Sequence, residues 1–151
     1  MDFSLSAEQQ MLQETARRFA QTELPAHATD IENNNAPPNL VLRKRFAEMG
    51  FMGINLPSAY GGAGLGHFEA VLILEELAKI SVAVAFPVFE ASFGPALAIA
   101  HFAPKALQQR ILPQVCSGEM VVAISMSEPN AGTALTDLKT RGKLSGDKIL
   151  L

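Results

Sequence analysis

Gly118-Glu119-Met120-Val121-Val122-Ala123-Ile124-Ser125-Met126-Ser127-Glu128-Pro129-Asn130-Ala131-Gly132-Thr133 is the stretch on which the architecture turns. Residues 120–125 form a short β-type run rich in Val and Ile. Upstream of it, apolar residues recur at helical spacing. Downstream, polar and apolar residues alternate around Ser145-Gly146-Asp147, a hairpin-turn sequence. The pattern therefore passes from helices to strands near residue 119. A lone hairpin is marginal in water and has unpaired edges, so the β portion is expected to be incomplete. The expected organisation is a helical domain over 1–118 and the beginning of a β domain over 119–151.

The helical part is punctuated by caps and prolines. Ser6-Ala7-Glu8-Gln9 is a capping-box sequence, and Leu12, Ala16 and Phe19 continue as one apolar stripe. Pro25 disfavours helical geometry in the residue before it, so this helix is expected to stop at Leu24. After the polar run Asn33-Asn34-Asn35-Ala36-Pro37-Pro38, Asn39 can cap a second helix with Leu42, Phe46 and Met49 inward and Gly50 closing it. Residues 68–80 read as a central third helix. Val82, Val84 and Val88 favour a strand over 81–93, but Pro87 argues against a central one, so a helix with a kink or break near Pro87 is expected. Pro95 and Pro104 fit first-turn positions of helices through Phe102 and Val115, the latter with Leu107, Ile111 and Val115 inward.

Composition excludes several classes. The chain has 151 residues, 48% of them hydrophobic and 18% charged, with no Trp; this suits one core that buries further surface against a partner domain or subunit. The net charge of −3 and scattered basic residues give no reason to expect nucleic acid, and Arg43-Lys44-Arg45 reads as an ordinary helix face. Cys116 is the single cysteine, which excludes an internal disulfide and makes a reducing compartment the default. Met1-Asp2-Phe3-Ser4 lacks the basic and apolar regions of a secretory signal, and the apolar stretch 71–89 is interrupted by Glu75, Glu76, Lys79 and Pro87. The expectation is a soluble, cytoplasmic chain without a membrane span.

Most chemistry-bearing residues have no partner at a telling distance. His27, His67 and His101 lack a second metal ligand at i+3 or i+4. Cys116 has no nameable base and reads as a buried thiol; no serine lies in a G-x-S-x-G elbow. Gly62 and Gly64 begin a G-x-G-x-x-G pattern, but His67 stands where its last glycine belongs, so the glycines read as a turn-rich connector. Phe86, Phe89 and Phe93 read as core rather than a cofactor box. Residues 125–133 are different. Hydroxyls, small residues and turn formers after a strand can offer N–H and O–H donors to an anionic or polar ligand, although a capped turn has the same composition.

That segment, Ser127-Glu128-Pro129-Asn130-Ala131-Gly132-Thr133-Ala134, resembles the T-E-P-x-A-G-S-D signature of acyl-CoA dehydrogenases. Other features of that family stand in order. Phe3-Leu5 with Glu8-Gln9 resembles its opening, and Met49-Gly50-Phe51-Met52-Gly53 with Leu56-Pro57 its second-helix exit. Tyr60-Gly61-Gly62-Ala63-Gly64-Leu65 is similar to its connector. Leu74-Glu75-Glu76-Leu77-Ala78 and Gln109-Arg110-Ile111-Leu112-Pro113 with Gly118-Glu119 complete the series. The resemblance covers the whole chain, and its specificity lies in the ordered combination.

The resemblance implies a mainly α chain: the N-terminal helical bundle of the acyl-CoA dehydrogenase type, followed by the first strands of an incomplete β-barrel domain. It implies FAD as cofactor, an acyl-CoA thioester as substrate in fatty acid metabolism, an electron-transferring flavoprotein as electron acceptor, and a homo-oligomer, tetramer or dimer. The reaction would be α,β-dehydrogenation, with a glutamate base taking the α-proton and a hydride passing to the flavin. By motif position, Ser127 would contact the flavin near N5, and the N–H groups of Met126 and Ser127 its pyrimidine edge. Gly132 and Thr133 would approach the pyrophosphate. Ser125 would lie near the CoA or thioester end, and the helices around Phe86 to Gly94, Phe93 among them, would line the acyl tail, with Glu90 at the pocket floor.

Ser127 and Thr133 exchange one hydroxyl residue for another relative to the signature; Ala134 replaces its Asp, and Ile124 stands where an aromatic is frequent. The family's base, its second flavin-contacting strand and its adenine-binding region correspond to sequence after Leu151. The 151 residues alone are therefore expected to be inactive and to bind FAD weakly or not at all. The alternatives are an acyl-CoA oxidase or flavin monooxygenase of the same superfamily, or a non-enzymatic helical interaction module.

Overall fold

The computed structural model describes residues 4–151; Phe3, part of the opening resemblance, lies outside the described residues. Helix α1 spans Ala7–Asn34, and its start follows the capping box: Ser6 Oγ accepts the Gln9 N–H at 3.1 Å and Gln9 Oε1 accepts the Ser6 N–H at 3.0 Å. It does not stop at Leu24. A proline inside a helix costs on the order of 3 kcal/mol. Here that cost is offset by packing on both sides of Pro25, since Leu24 is fully buried and Ala28 and Ile31 pack against the core one and two turns later. The helix ends where Asn35 takes a left-handed conformation and returns its N–H to Ile31.

Helix α2, Leu40–Glu48, is capped by Asn39, whose Oδ1 accepts the Leu42 N–H at 2.9 Å. It buries Leu42 and Phe46, and Phe19 of α1 packs against both Phe46 and Phe51, the latter edge-on. The glycine connector then folds onto itself. Gly53 O accepts from Ala63, Leu56 O from Gly64 and Ile54 O from Leu65. A side chain at Gly62 would stand 2.2 Å from the Leu56 carbonyl oxygen, so this glycine serves close backbone packing.

Helix α3, His67–Ala78, lies between α1 and α4 and buries Ala70, Ile73, Glu76 and Leu77. Helix α4, Val82–Ser92, begins at the Ser81 cap and contains Pro87 without a break; the interruption comes at Phe93–Gly94 instead. Pro87 is buried with Val84, Ala85, Val88 and Ala91, so the apolar side that faces the core holds the helix continuous. The stretch Val82–Phe102 is long and apolar enough to cross a membrane by length and composition alone, and 44% of its most apolar 18-residue window is buried inside this fold. Helix α5, Pro95–Phe102, starts on its proline as expected.

Helix α6, Lys105–Cys116, has Pro104 just outside its first turn and buries Gln108, Leu112, Val115 and Cys116. The inner face is thus rotated from the expected Leu107, Ile111, Val115 stripe, because Gln108 turns inward to serve the end of α5. Its amide donates to the Ala100 and Ala103 carbonyls, and its oxygen accepts from the Tyr60 hydroxyl and the Lys105 ammonium. Cys116 is buried against the connector: a Cβ on Gly53 would lie 2.8 Å from its sulfur, and burial pushes the thiol up to about 11. Gly118, at φ +75°, ends α6 against α2, and Arg43 Nε donates to its carbonyl.

Beyond Gly118 the chain is extended. Residues 120–125 form no strand ladder, contrary to the sequence reading, because no neighbouring strand pairs with them among the described residues. Two short antiparallel strands do form, β1 (Lys143–Ser145) and β2 (Lys148–Leu150), paired Lys143 to Leu150 and Ser145 to Lys148. Gly146 at φ +65° makes the two-residue turn expected from Ser145-Gly146-Asp147.

Candidate functional site

Residues 127–140 fold into a closed loop. Glu128 and Ala131 exchange both backbone hydrogen bonds, at 2.9 and 3.0 Å, around the tip Pro129-Asn130. Ala131 is buried in an otherwise exposed region and anchors the turn. A 3₁₀ turn, Leu135–Asp137, follows. The chain then returns to Glu128, whose carboxylate accepts the Lys139 N–H at 2.9 Å and the Thr140 N–H at 2.8 Å. Bonds from Thr140 and Lys139 hold that carboxyl below the usual carboxylate range. Sequence reasoning assigned Glu128 no role. Its partners lie 11 and 12 residues downstream, a spacing no local pattern encodes.

The expected cofactor residues come together on this loop. Ser127 and Gly132 stand one residue outside the Glu128–Ala131 pair, on the two legs of the turn, and Met126 and Thr133 stand one residue further out. All four are exposed, as is Ser125. The N–H groups of Met126, Ser127 and Gly132, and the hydroxyls of Ser125, Ser127 and Thr133, have no hydrogen-bond partner within the described chain. Nothing lies within 4 Å of where a Gly132 side chain would begin. These are uncommitted donors close together on one loop, with an open approach at the glycine. They fit a ligand rich in acceptor oxygens, such as a flavin ring edge or a pyrophosphate.

Glu90 and Phe93 line different spaces. Glu90 is half-buried on α4, beside a void of about 10 Å³ bounded by Met52, Pro87, Val115 and residues 120–122, room for about one water. Burial pushes its carboxyl up from the usual value. It shares this void with residues 120–122, the segment that leads to Ser125. Phe93 stacks on Phe89 at 6.0 Å and borders an open apolar groove of about 330 Å³ with Val71, Leu74 and Ala78. Phe86 and Phe89 are 48% and 42% exposed, so these two rings lie on the surface and not in the core. The α4 positions that face inward carry Val84, Ala85, Val88 and Ala91, which leaves the phenylalanines on the opposite side. Among the described residues no group of three His, Cys, Asp or Glu is placed to hold a metal ion.

The family described as acyl-CoA dehydrogenase, N-terminal domain, matches residues 6–119. The mitochondrial isovaleryl-CoA dehydrogenase of Bos taurus is 34% identical over 148 residues, covering 97% of this chain and 35% of that protein. The 3-sulfinopropanoyl-CoA desulfinase of Paraburkholderia xenovorans (strain LB400) is 34% identical over 145 residues, 96% of this chain and 37% of that protein. The solved glutaryl-coenzyme A dehydrogenase glutaryl-CoA complex superposes with a TM-score of 0.88 at 30% identity, over 99% of this chain and 38% of that one. The chain spans little more than a third of the length of each.

Proposed function

Because the chain belongs to the acyl-CoA dehydrogenase family, we propose that it supplies the helical bundle and the first flavin-contacting loop of an FAD-dependent enzyme acting on acyl-CoA thioesters. Residues 119–151 begin its β domain. The carrying observation is the set of uncommitted donors on both legs of the 128–131 turn. Met126 and Ser127 hydrogen-bond the flavin ring, and Gly132 and Thr133 admit and bind the pyrophosphate. Ser125 orients the thioester end. Glu90 and Phe93, on α4 and at its end, border the acyl tail.

When bound, FAD accepts the hydride removed from the acyl β-carbon, and its environment governs how readily it does so. Donors at the ring favour its reduced, negatively charged form. No residue of 1–151 is assigned as the base that removes the α-proton. An electron-transferring flavoprotein would be the electron-accepting partner, and the enzyme would assemble as a homo-oligomer.

The desulfinase similarity supports a second reading, in which the same scaffold serves carbon–sulfur cleavage on a CoA thioester. Reconstitution of the complete gene product with FAD tests both. Stoichiometric FAD uptake and bleaching of the flavin on adding acyl-CoA thioesters are expected. Uptake without bleaching by any saturated acyl-CoA would favour the second reading, and failure to take up FAD would overturn both. The 151-residue chain by itself should turn over no acyl-CoA and bind FAD weakly or not at all.

A further inference from the structure

We propose that Glu128 is a positioning residue, a carboxylate latch that holds residues 127–140 in the shape presenting Ser127, Gly132 and Thr133 to the dinucleotide. This rests on the flavin reading above. Both carboxylate oxygens are engaged within the loop, Oε2 with the Lys139 N–H and Oε1 with the Thr140 N–H. Those donors are consecutive amides on the returning leg, so one side chain bridges two backbone segments. Glu128 also pairs through its own backbone with Ala131. It is thus the joint at which the outgoing leg, the tip and the returning leg meet.

Little else could hold the loop. Residues 132–140 are all exposed, and Ala131 is its buried anchor. Hydrogen bonds inside the segment are short-range, linking Thr133 to Leu135, Ala134 to Asp137 and Leu135 to Leu138. They shape the 3₁₀ turn without tying it to the outgoing leg. A segment so weakly anchored samples many conformations, and a ligand that needs one of them loses affinity in proportion to the others. The latch acts by raising the population of the competent shape. Glu128 is ionised at neutral pH, as an ordinary carboxyl is, and so can accept both amides; their bonds hold it further below the usual carboxylate range.

The test uses the complete gene product and the substitutions Glu128→Gln, which keeps one acceptor oxygen, and Glu128→Ala, which keeps none. Without FAD, amide hydrogen exchange at Lys139 and Thr140 should quicken from wild type to Gln to Ala, while the melting temperature stays nearly constant. FAD affinity should weaken about tenfold in Glu128→Ala and less in Glu128→Gln, if the competent loop shape falls to about a tenth of the population. Unchanged exchange in both variants would overturn the latch, whatever FAD does. Faster exchange with unaltered FAD affinity would overturn its positioning role. Wild-type protein that takes up no FAD would remove the flavin reading, and the exchange result would still decide whether Glu128 closes the loop.

Discussion

Arg17 reaches from α1 to α3 and holds the Glu76 carboxylate with two donors, Nε to Oε2 at 3.2 Å and Nη2 to Oε1 at 3.0 Å. Lys79 adds a third contact at 2.9 Å. The pair is asymmetric, with Glu76 2% exposed and Arg17 40% exposed. Removing the arginine leaves a buried anion short of a partner, whereas neutralising the glutamate leaves cations that water can solvate. Arg17→Met should therefore lower the melting temperature by several degrees and Glu76→Gln by less. Arg17 holds the Glu76 carboxyl below its ordinary 4.5. The stability from that depression is present above the ordinary value and is lost as pH falls through the depressed one. The gap between wild type and Arg17→Met should thus shrink on acidification; a gap that widens would contradict the assignment.

Two glycines separate backbone strain from crowding. Gly64 and Gly118 both have positive φ, +66° and +75°. A Cβ at Gly64 would meet nothing within 4 Å, whereas one at Gly118 would lie 2.6 Å from the Arg43 carbonyl oxygen. Gly64→Ala should cost about 1–2 kcal/mol, the left-handed penalty alone. Gly118→Ala should add overpacking and cost about 2–5 kcal/mol. Equal losses in chemical denaturation would show that the α6–α2 junction yields.

Gln108 joins α5, α6 and the Tyr60 turn through a buried amide. Gln108→Leu strands the Ala100 and Ala103 carbonyls and should cost about 1–3 kcal/mol. Tyr60→Phe alone should cost about 0.5–1.5 kcal/mol. In the Gln108→Leu background the tyrosine change should cost almost nothing, since its acceptor is already gone. Additive losses in the double variant would mean the two side chains act independently.

Glu90 has the opposite sign to Glu76. Burial raises its carboxyl, so the folded chain holds that proton to higher pH than the unfolded chain does. Stability then declines as pH rises from the ordinary carboxylate value through the raised one. Glu90→Gln should melt higher than wild type at neutral pH and level with it in acid. A lower melting temperature at neutral pH would point to an ionised, partnered carboxylate.

These contrasts also show what could be read from residues alone. The Ser6 and Asn39 caps, the Pro95 start and the 145–147 turn were legible because each depends on residues within three or four positions. Pro25 and Pro87 misled because their local penalty is visible in sequence, while the burial that offsets it belongs to the assembled core. Residues 120–125 display β-propensity, but a strand needs a neighbour, and propensity does not supply one. The loop at 125–133 was legible as a donor-rich turn. Its closure was not, since Glu128 finds Lys139 and Thr140 only after the chain has doubled back.

The seat of Cys116 has a practical consequence. A thiol pushed up to about 11 and packed between α6 and the Gly53 turn is chemically silent at neutral pH. It becomes reactive only when that junction parts. The rate at which a thiol-specific reagent labels the native protein therefore clocks the opening of α6 against the connector. Cys116 is the only cysteine among these 151 residues, so within them the signal comes from one place. The fold carries its own intrinsic probe of local unfolding, readable without adding a dye or changing a residue.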